Sequence, residues 1–286
     1  MAEYIMRTAK RDEIDLLIEW AAAEGWNPGR YDAETFYAAD PEGFMVGVLD
    51  GEPISSISVV KYGQSFGFLG FYIVKPEFRG HGYGLRLWNE GMKYLEGRDI
   101  GLDGVPAQEA NYARWCFRLA DRNTRYEGVA AGDGEAATDP RVEPLSSLSM
   151  DELLAYDDKV MPAPRHAFLH AWVSRPDTIA LGISHNRQLA GYTVLRPCRV
   201  GYKFGPLFAD DASLADALFR AGAAQLPPGT PIFLDVPGKN PAAIELAERY
   251  GLMPGFQTAR MYRAVTRPEI DVPLDRWFGV TSFELG

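Results

Sequence analysis

Phe71-Tyr72-Ile73-Val74-Lys75-Pro76-Glu77-Phe78-Arg79-Gly80-His81-Gly82-Tyr83-Gly84 runs straight into Leu85-Arg86-Leu87-Trp88. A β-rich run ends at Val74, Pro76 breaks it, three alternating glycines make a turn, and a helical pattern begins. The first N–H groups of a helix have no intrahelical partner and carry the positive end of its dipole. Glycines let a ligand approach the backbone, and Arg79 adds a permanent charge. The stretch therefore predicts an anion cradle at a helix N-terminus. It is not a Walker loop, because no Lys-Ser or Lys-Thr follows the glycines, and a Rossmann GxGxxG would need glycine where Leu85 stands.

Upstream, Ile14, Leu17, Ile18, Ala21 and Ala22 recur at helical spacing until Gly25 and Pro28 stop the run. The β-rich runs 43–49 and 54–62 flank Asp50-Gly51 and read as a hairpin. Downstream follow a helix over about 84–96, a strand near 100–105, a helix over about 108–119 and a strand near 124–129. Ala130 to Pro144 is small, polar and aperiodic, which reads as a linker. A similar element order then recurs: helices near 149–160 and 165–174, strands 178–184, 189–196 and 200–207, helix 211–225, strand 231–236, helix 240–250 and strand 256–264. Leu102-Asp103-Gly104-Val105-Pro106 before Asn111 is echoed by Leu234-Asp235-Val236-Pro237 before Asn240. The reading is two copies of one α+β unit, residues 1–132 and 145–286, each with an asparagine-headed helix after the marked strand.

With 286 residues, 47% apolar and 12% aromatic, the chain can bury a large core. No apolar run reaches the length of a membrane helix, and the first residues lack a signal peptide's apolar stretch. Cys116 and Cys198 form neither a disulfide framework nor a thiolate metal site. The net charge of −10, without a dense Lys/Arg cluster, argues against nucleic acid as a partner. The expectation is a cytoplasmic protein with neither membrane nor nucleic-acid partner; homo-oligomerisation is left open.

The strand-Val-x-Pro-x-x-Arg-Gly-x-Gly-x-Gly-helix run resembles the acyl-CoA pyrophosphate loop of the GNAT superfamily of N-acyltransferases. That family's Arg-x-x-Gly-x-Gly reads here as Arg79, Gly82 and Gly84. Glu24-Gly25-Trp26-Asn27-Pro28-Gly29 and Phe278 to Leu285 resemble a bacterial branch with a second, divergent GNAT-like domain. The implied fold is α+β: two tandem GNAT-like domains, each a mixed, mostly antiparallel sheet flanked by helices. The resemblance implies that backbone groups of Tyr72, Ile73 and Val74 pair with pantetheine. It implies that the amides of Arg79, Gly80, His81, Gly82, Tyr83 and Gly84 hold the pyrophosphate, and that Asn111 either touches the pantetheine arm or caps its helix. Acetyl-CoA is the expected cofactor, and a small-molecule amine the expected acceptor, with direct transfer in a ternary complex. The alternative is a non-catalytic acyl-CoA-binding or sensory module.

In the second copy, the corresponding stretch, Gly205-Pro206-Leu207-Phe208-Ala209-Asp210-Asp211, lacks the glycine signature and places aspartates at the helix start. Carboxylates there would repel a pyrophosphate, so only the first copy is expected to bind the cofactor.

Acyl transfer to an amine needs a proton acceptor, an oxyanion donor and a proton for the departing thiolate. The family implies a backbone N–H near Val74, at a strand bulge, for the oxyanion. It commonly uses a tyrosine as the acid seven positions after Asn111, where Arg118 stands instead. Tyr112 and Tyr126 are therefore both candidates for the acid. Asp103 and Glu77 are candidates for the base, with a water chain as the alternative and Asp103 equally readable as a strand-end anchor. Arg165, His166, Trp172 and Tyr192 form a basic-aromatic group that is a candidate acceptor pocket at the domain junction, or else core packing. His166 and His170 have metal-pair spacing but no third ligand, so no metal is expected. Cys116 reads as a buried structural thiol.

Overall fold

β1 (Tyr4–Thr8) leads into α1 (Arg11–Ala23), whose Ile14, Leu17 and Ile18 are the buried stripe that the spacing predicts. The computed structural model describes residues 3–131 and 139–286. A second helix, α2 (Asp32–Ala39), precedes the hairpin β2 (Phe44–Leu49) and β3 (Glu52–Tyr62). Its turn places both Asp50 and Gly51 at positive φ, as a two-residue hairpin requires. β4 (Phe66–Val74), α3 (Tyr83–Tyr94) and β5 (Asp99–Gly104) follow, β5 lying parallel to β4. The helix expected over 108–119 is only α4 (Glu109–Ala113), and β6 (Arg118–Val129) starts early. Cys116, at φ 65°, breaks the helix so that Phe117 turns into the core. That thiol is exposed rather than buried.

The remaining elements are β7 (Val142–Pro144), α5 (Met150–Val160), α6 (His166–Val173), β8 (Ile179–His185), β9 (Gln188–Pro197), β10 (Tyr202–Ala209), α7 (Ala212–Ala223), β11 (Pro231–Pro237), α8 (Pro241–Arg249), β12 (Met253–Arg263) and β13 (Trp277–Gly279). The fold is α+β with a mostly antiparallel sheet flanked by helices. Residues 132–138 of the expected linker lie outside the described residues. No helix among the described residues is long and apolar enough to cross a membrane.

The described strands form one sheet, ordered β1-β2-β3-β4-β5-β12-β6-β11-β10-β9-β8-β7, with β13 added on β10. The last long strand of each half sits in the other half. β12 pairs antiparallel with β5, and β6 pairs antiparallel with β11. The repeated Leu-Asp motif marks these two junctions. Asp103 on β5 faces Arg260 on β12, and Asp235 on β11 faces Arg125 on β6. Both pairs are bidentate and buried: Arg260 Nη2 lies 2.5 Å from Asp103 Oδ2, and Arg125 Nε lies 2.7 Å from Asp235 Oδ1. The fork geometry ties each exchanged strand to its host at a defined register.

Three apolar clusters fill the faces. One serves the first half, one the second, and a third is shared: it joins α1 and α2 to α5 and α6. In the shared core, Phe36 stacks on Trp172 with centroids 5.9 Å apart and 9° between planes.

Asp99, fully buried at the start of β5, holds the segment after β12. It accepts hydrogen bonds from the Val265 and Thr266 amides, the Thr266 hydroxyl and Arg267 Nε. Burial alone would push its carboxyl up, but these donors outweigh it and hold the group at about 2. A carboxyl depressed from about 3.9 contributes stability that is present above that value and lost as pH falls through about 2. Asp99→Asn should therefore lose about 2–3 kcal/mol of unfolding free energy near neutrality. Urea titrations of variant and parent should converge toward pH 2.

Candidate functional site

β4 and β5 are hydrogen-bonded from Phe66↔Asp99 to Leu69↔Leu102 and then diverge. Beyond Leu69, β4 keeps β3 on one side and presents an unpaired edge on the other. A bulge interrupts the β3–β4 ladder, because Gly70 and Ile73 face Ser58 and Ser56 with Phe71 and Tyr72 between them. Phe71 sits at φ 43° there. The irregularity expected near Val74 is thus at Phe71-Tyr72, where the strand leaves its partner.

The opening is a cleft of about 540 Å³, and residues 70–74, Arg79, Gly80, Gly82, Tyr83 and Gly84 line it. Gly80 and Gly82 have φ of 81° and 82°, which favours glycine, and Gly82 caps α3. Gly84 answers a different need: a Cβ there would lie 2.8 Å from the Tyr72 hydroxyl. The amides of residues 80–85 have no hydrogen-bond partner among the described residues. Arg79 is partly spent. Its Nε donates to the Val74 carbonyl (2.8 Å) and its Nη2 pairs with Glu24. His81 is exposed, its Nδ1 2.9 Å from the Arg79 carbonyl oxygen. A turn of free amides at a helix start, with no acidic side chain in the first turn of α3, fits a diphosphate.

Of the tyrosines, Tyr112 lines this cleft and Tyr126 does not. The Tyr112 ring stacks on Trp88 and lies so close to β5 that a Cβ at Gly104 would be 2.2 Å from it. Burial raises its phenol above the usual range, and its hydroxyl has no hydrogen-bond partner among the described residues. Burial also lifts Tyr72, to about 12. Tyr126 belongs to the core of the second half, because β6 has crossed over to β11.

Asp103 lines the cleft, but its acceptor positions are taken by Arg260, Thr258 and Asn123. Burial presses its pKa up against the pull of Arg260. It is an anchor for the exchanged strand, and the carboxylate is not free for an amine's proton. Glu77 lies outside the lining residues. Asn111 does not head its helix. Gln108 holds that place, and Asn111 Nδ2 donates to its Oε1 at 2.5 Å. Asn240 does cap α8, accepting from Ala242 and Ala243, so the two asparagines are not equivalent.

The expected acceptor group lies outside the cleft, and only His166 stands apart from its other members. Arg165, Trp172 and Tyr192 are buried in the shared core, away from the cleft. Arg165 forks onto Asp157 at 2.9 Å and donates to Thr281 Oγ1 and the Gly286 carbonyl. Tyr192 donates to Asp157 at 2.5 Å, and burial raises its phenol strongly. Trp172 Nε1 donates to the Gly205 carbonyl. His166 is on the surface beside Asp158. The arginine's role is to hold the C-terminal segment.

That segment supplies cleft residues that no local motif announces. The tail after β13 is buried to its end and brings Phe283 and Glu284 into the cleft, whose lining also includes Glu24, Trp26 and Phe256. A Cβ at Gly70 would lie 2.1 Å from the Glu284 carbonyl oxygen, so the tail lies directly against the bulged strand. The apolar run Trp277–Leu285 signals burial, but its destination in the other half is not encoded locally.

The second half has the same divergence, between β10 and β11 beyond Phe204↔Leu234. There the chain fills it. β13 pairs with β10 at Leu207 and Phe208, and the Val280 amide donates to the Asp235 carbonyl. Asp211 occupies the start of α7, accepting from Ser213 and Leu214, while Asp210 takes the Tyr156 hydroxyl.

A model of the acetyltransferase (GNAT) family matches residues 11–114, and a model of the acetyltransferase (GNAT) domain matches residues 153–272. The holothin acyltransferase of Pseudoalteromonas sp. (strain SANK 73390) is 34% identical over 257 residues, which is 90% of this chain and 87% of that protein. Among solved structures, a proposed acetyltransferase from Pyrococcus horikoshii matches with TM-score 0.82 and 20% identity over 99% of this chain and 96% of its own. A tandem GNAT protein from the clavulanic acid biosynthesis pathway matches with TM-score 0.63 and 13% identity over 94% and 100%. These two likenesses concern the fold. By sequence over nearly its whole length, this chain belongs to the GNAT superfamily of acyltransferases.

Proposed function

We propose that the protein transfers an acyl group, acetyl first among the candidates, from acyl-CoA to the amine of a small molecule, within one ternary complex. The first half, residues 1–132 in the division read from sequence, would hold the donor. The observation that carries this reading is the run of unpartnered amides at 80–85 opening into the same cleft as the free edge of β4. Together they suit a diphosphate followed by an extended amide-bearing arm. Direct transfer is favoured because neither cysteine lines the cleft and no nucleophile-base pair stands in it among the described residues. Tyr112, protonated and facing the cleft, is suited to donate a hydrogen bond to the departing sulfur. Phe256, Phe283 and Trp26 in the cleft lining suit an acceptor with an apolar, planar body. Holothin, named in the relative's activity, belongs in the test panel.

One donor per chain is expected, because β13 occupies the second divergence and Asp211 the second helix start. Calorimetry with acetyl-CoA should give a stoichiometry of one, and a value of two would refute the one-site reading. Free-thiol release should be followed with acetyl-CoA and longer acyl-CoA thioesters over a panel of amines. Turnover on an amine is the expected result. Thermal stabilisation by acyl-CoA with no turnover on any amine would favour a binding or sensory module instead.

A further inference from the structure

We infer that Glu284, in the C-terminal tail, is the group that takes the acceptor's proton, so that the second half completes the active site of the first. The inference rests on the acyltransfer reading above and adds a residue to it. Glu284 is 2% exposed and lines the cleft. Its Oε2 is enclosed without a hydrogen-bond partner, and its Oε1 accepts none among the described residues. The charges of the buried Arg125 and Arg196 act on it, but neither arginine donates a hydrogen bond to it. A buried carboxylate without donors is costly, and such groups persist where something besides stability retains them. The other carboxylates lining the cleft are engaged: Asp103 by three side chains, and Glu24 by Arg79.

The position matches the chemistry. The tail backbone at Glu284 presses on Gly70, the last residue before the bulge, where β4 has left β5. Phe283 and Phe256, with ring centroids 6.2 Å apart, stand beside it. The Arg125 guanidinium already faces both rings, 5.0 Å from Phe283 and 6.0 Å from Phe256, so an ammonium would pass the edge of the rings to meet a carboxylate with free acceptor positions. Glu284 takes the proton the ammonium must lose before its lone pair is free. That pair forms the C–N bond as the C–S bond of the thioester breaks, the second N–H proton ends on the CoA thiol, and Glu284 returns its proton to solvent. Arg165 has a matching part, because its bonds to Thr281 and Gly286 hold the tail on both sides of Glu284.

Glu284→Gln keeps the shape of the side chain and removes the base. Acetyl-CoA affinity by calorimetry should stay within about threefold, while kcat falls by about 10²–10⁴-fold, the usual range for a general base. In Glu284→Ala, which opens space at the same point, added formate should restore part of the rate, an effect that a packing role would not produce. A glutamine variant turning over within threefold of the parent overturns the assignment. So does one that loses acetyl-CoA binding along with activity. Absence of turnover in the parent itself, across the amine panel, overturns the acyltransfer reading and this assignment with it.

Discussion

Gly82→Asp should abolish micromolar acyl-CoA binding and leave the fold standing. Gly82 has φ 82° and a position where an added Cβ meets nothing within 4 Å. The steric effect on the protein alone is therefore small, and aspartate is among the residues that tolerate the left-handed region best. The damage is electrostatic. A carboxylate at the cap of α3 satisfies the free amides itself and stands a few Å from where a diphosphate would lie. At 4 Å and an effective dielectric constant of 20, one like-charge pair costs about 4 kcal/mol, on the order of a thousandfold in affinity. Gly82→Asn separates the causes, because it keeps size and backbone demand but lacks the charge. Calorimetry should show the asparagine variant far less impaired than the aspartate variant, with thermal midpoints of both close to the parent. Equal, strong losses in the two would mean that shape rather than charge governs the loop.

Arg165→Met should destabilise the whole protein more than it disturbs the donor cleft. The guanidinium and its partner Asp157 are fully buried, and Tyr192 shares the same carboxylate. Removing one member strands Asp157 as an uncompensated charge, which costs about 3–5 kcal/mol. For a chain of this size that corresponds to a fall in Tm of roughly 10 °C. Arg165→Met combined with Asp157→Leu removes both charges and should recover most of the loss. An arginine that bound the acceptor would behave in the opposite way, with an unchanged Tm, a raised KM and no rescue by the second substitution. Urea denaturation and amine saturation curves on the same variants distinguish the two.

Much of the arrangement could be read locally. The glycine turn, the helix it opens and the hairpin at Asp50-Gly51 depend on residues within a few positions of one another, where backbone sterics and unpaired amides decide the outcome. The same holds for Asp211 at the start of α7. The α4 region failed because Trp115, Cys116 and Phe117 carry a helix-like apolar pattern, while the burial of Phe117 and the early start of β6 end the helix sooner.

The candidate site divides along the same line. The donor loop is a contiguous stretch, so its chemistry is visible in the order of its residues. The rest of the cleft lining includes Trp26, Tyr112, Phe256, Phe283 and Glu284, which come from several separated parts of the chain. Tyr112 and Tyr126 are equivalent candidates by sequence alone, and the crossing of β6 to β11 separates them by carrying Tyr126 into the other core.

Residue order alone was enough for the doubled α+β plan and for the anion-holding turn, because turn formation, capping and helical periodicity act over a handful of positions. The exchange of β6 and β12, the filling of one divergence by β13 and the delivery of Glu284 to the other were settled only by the folded chain. Those outcomes depend on which distant strand edges and buried charges find partners, and no local preference specifies such a pairing.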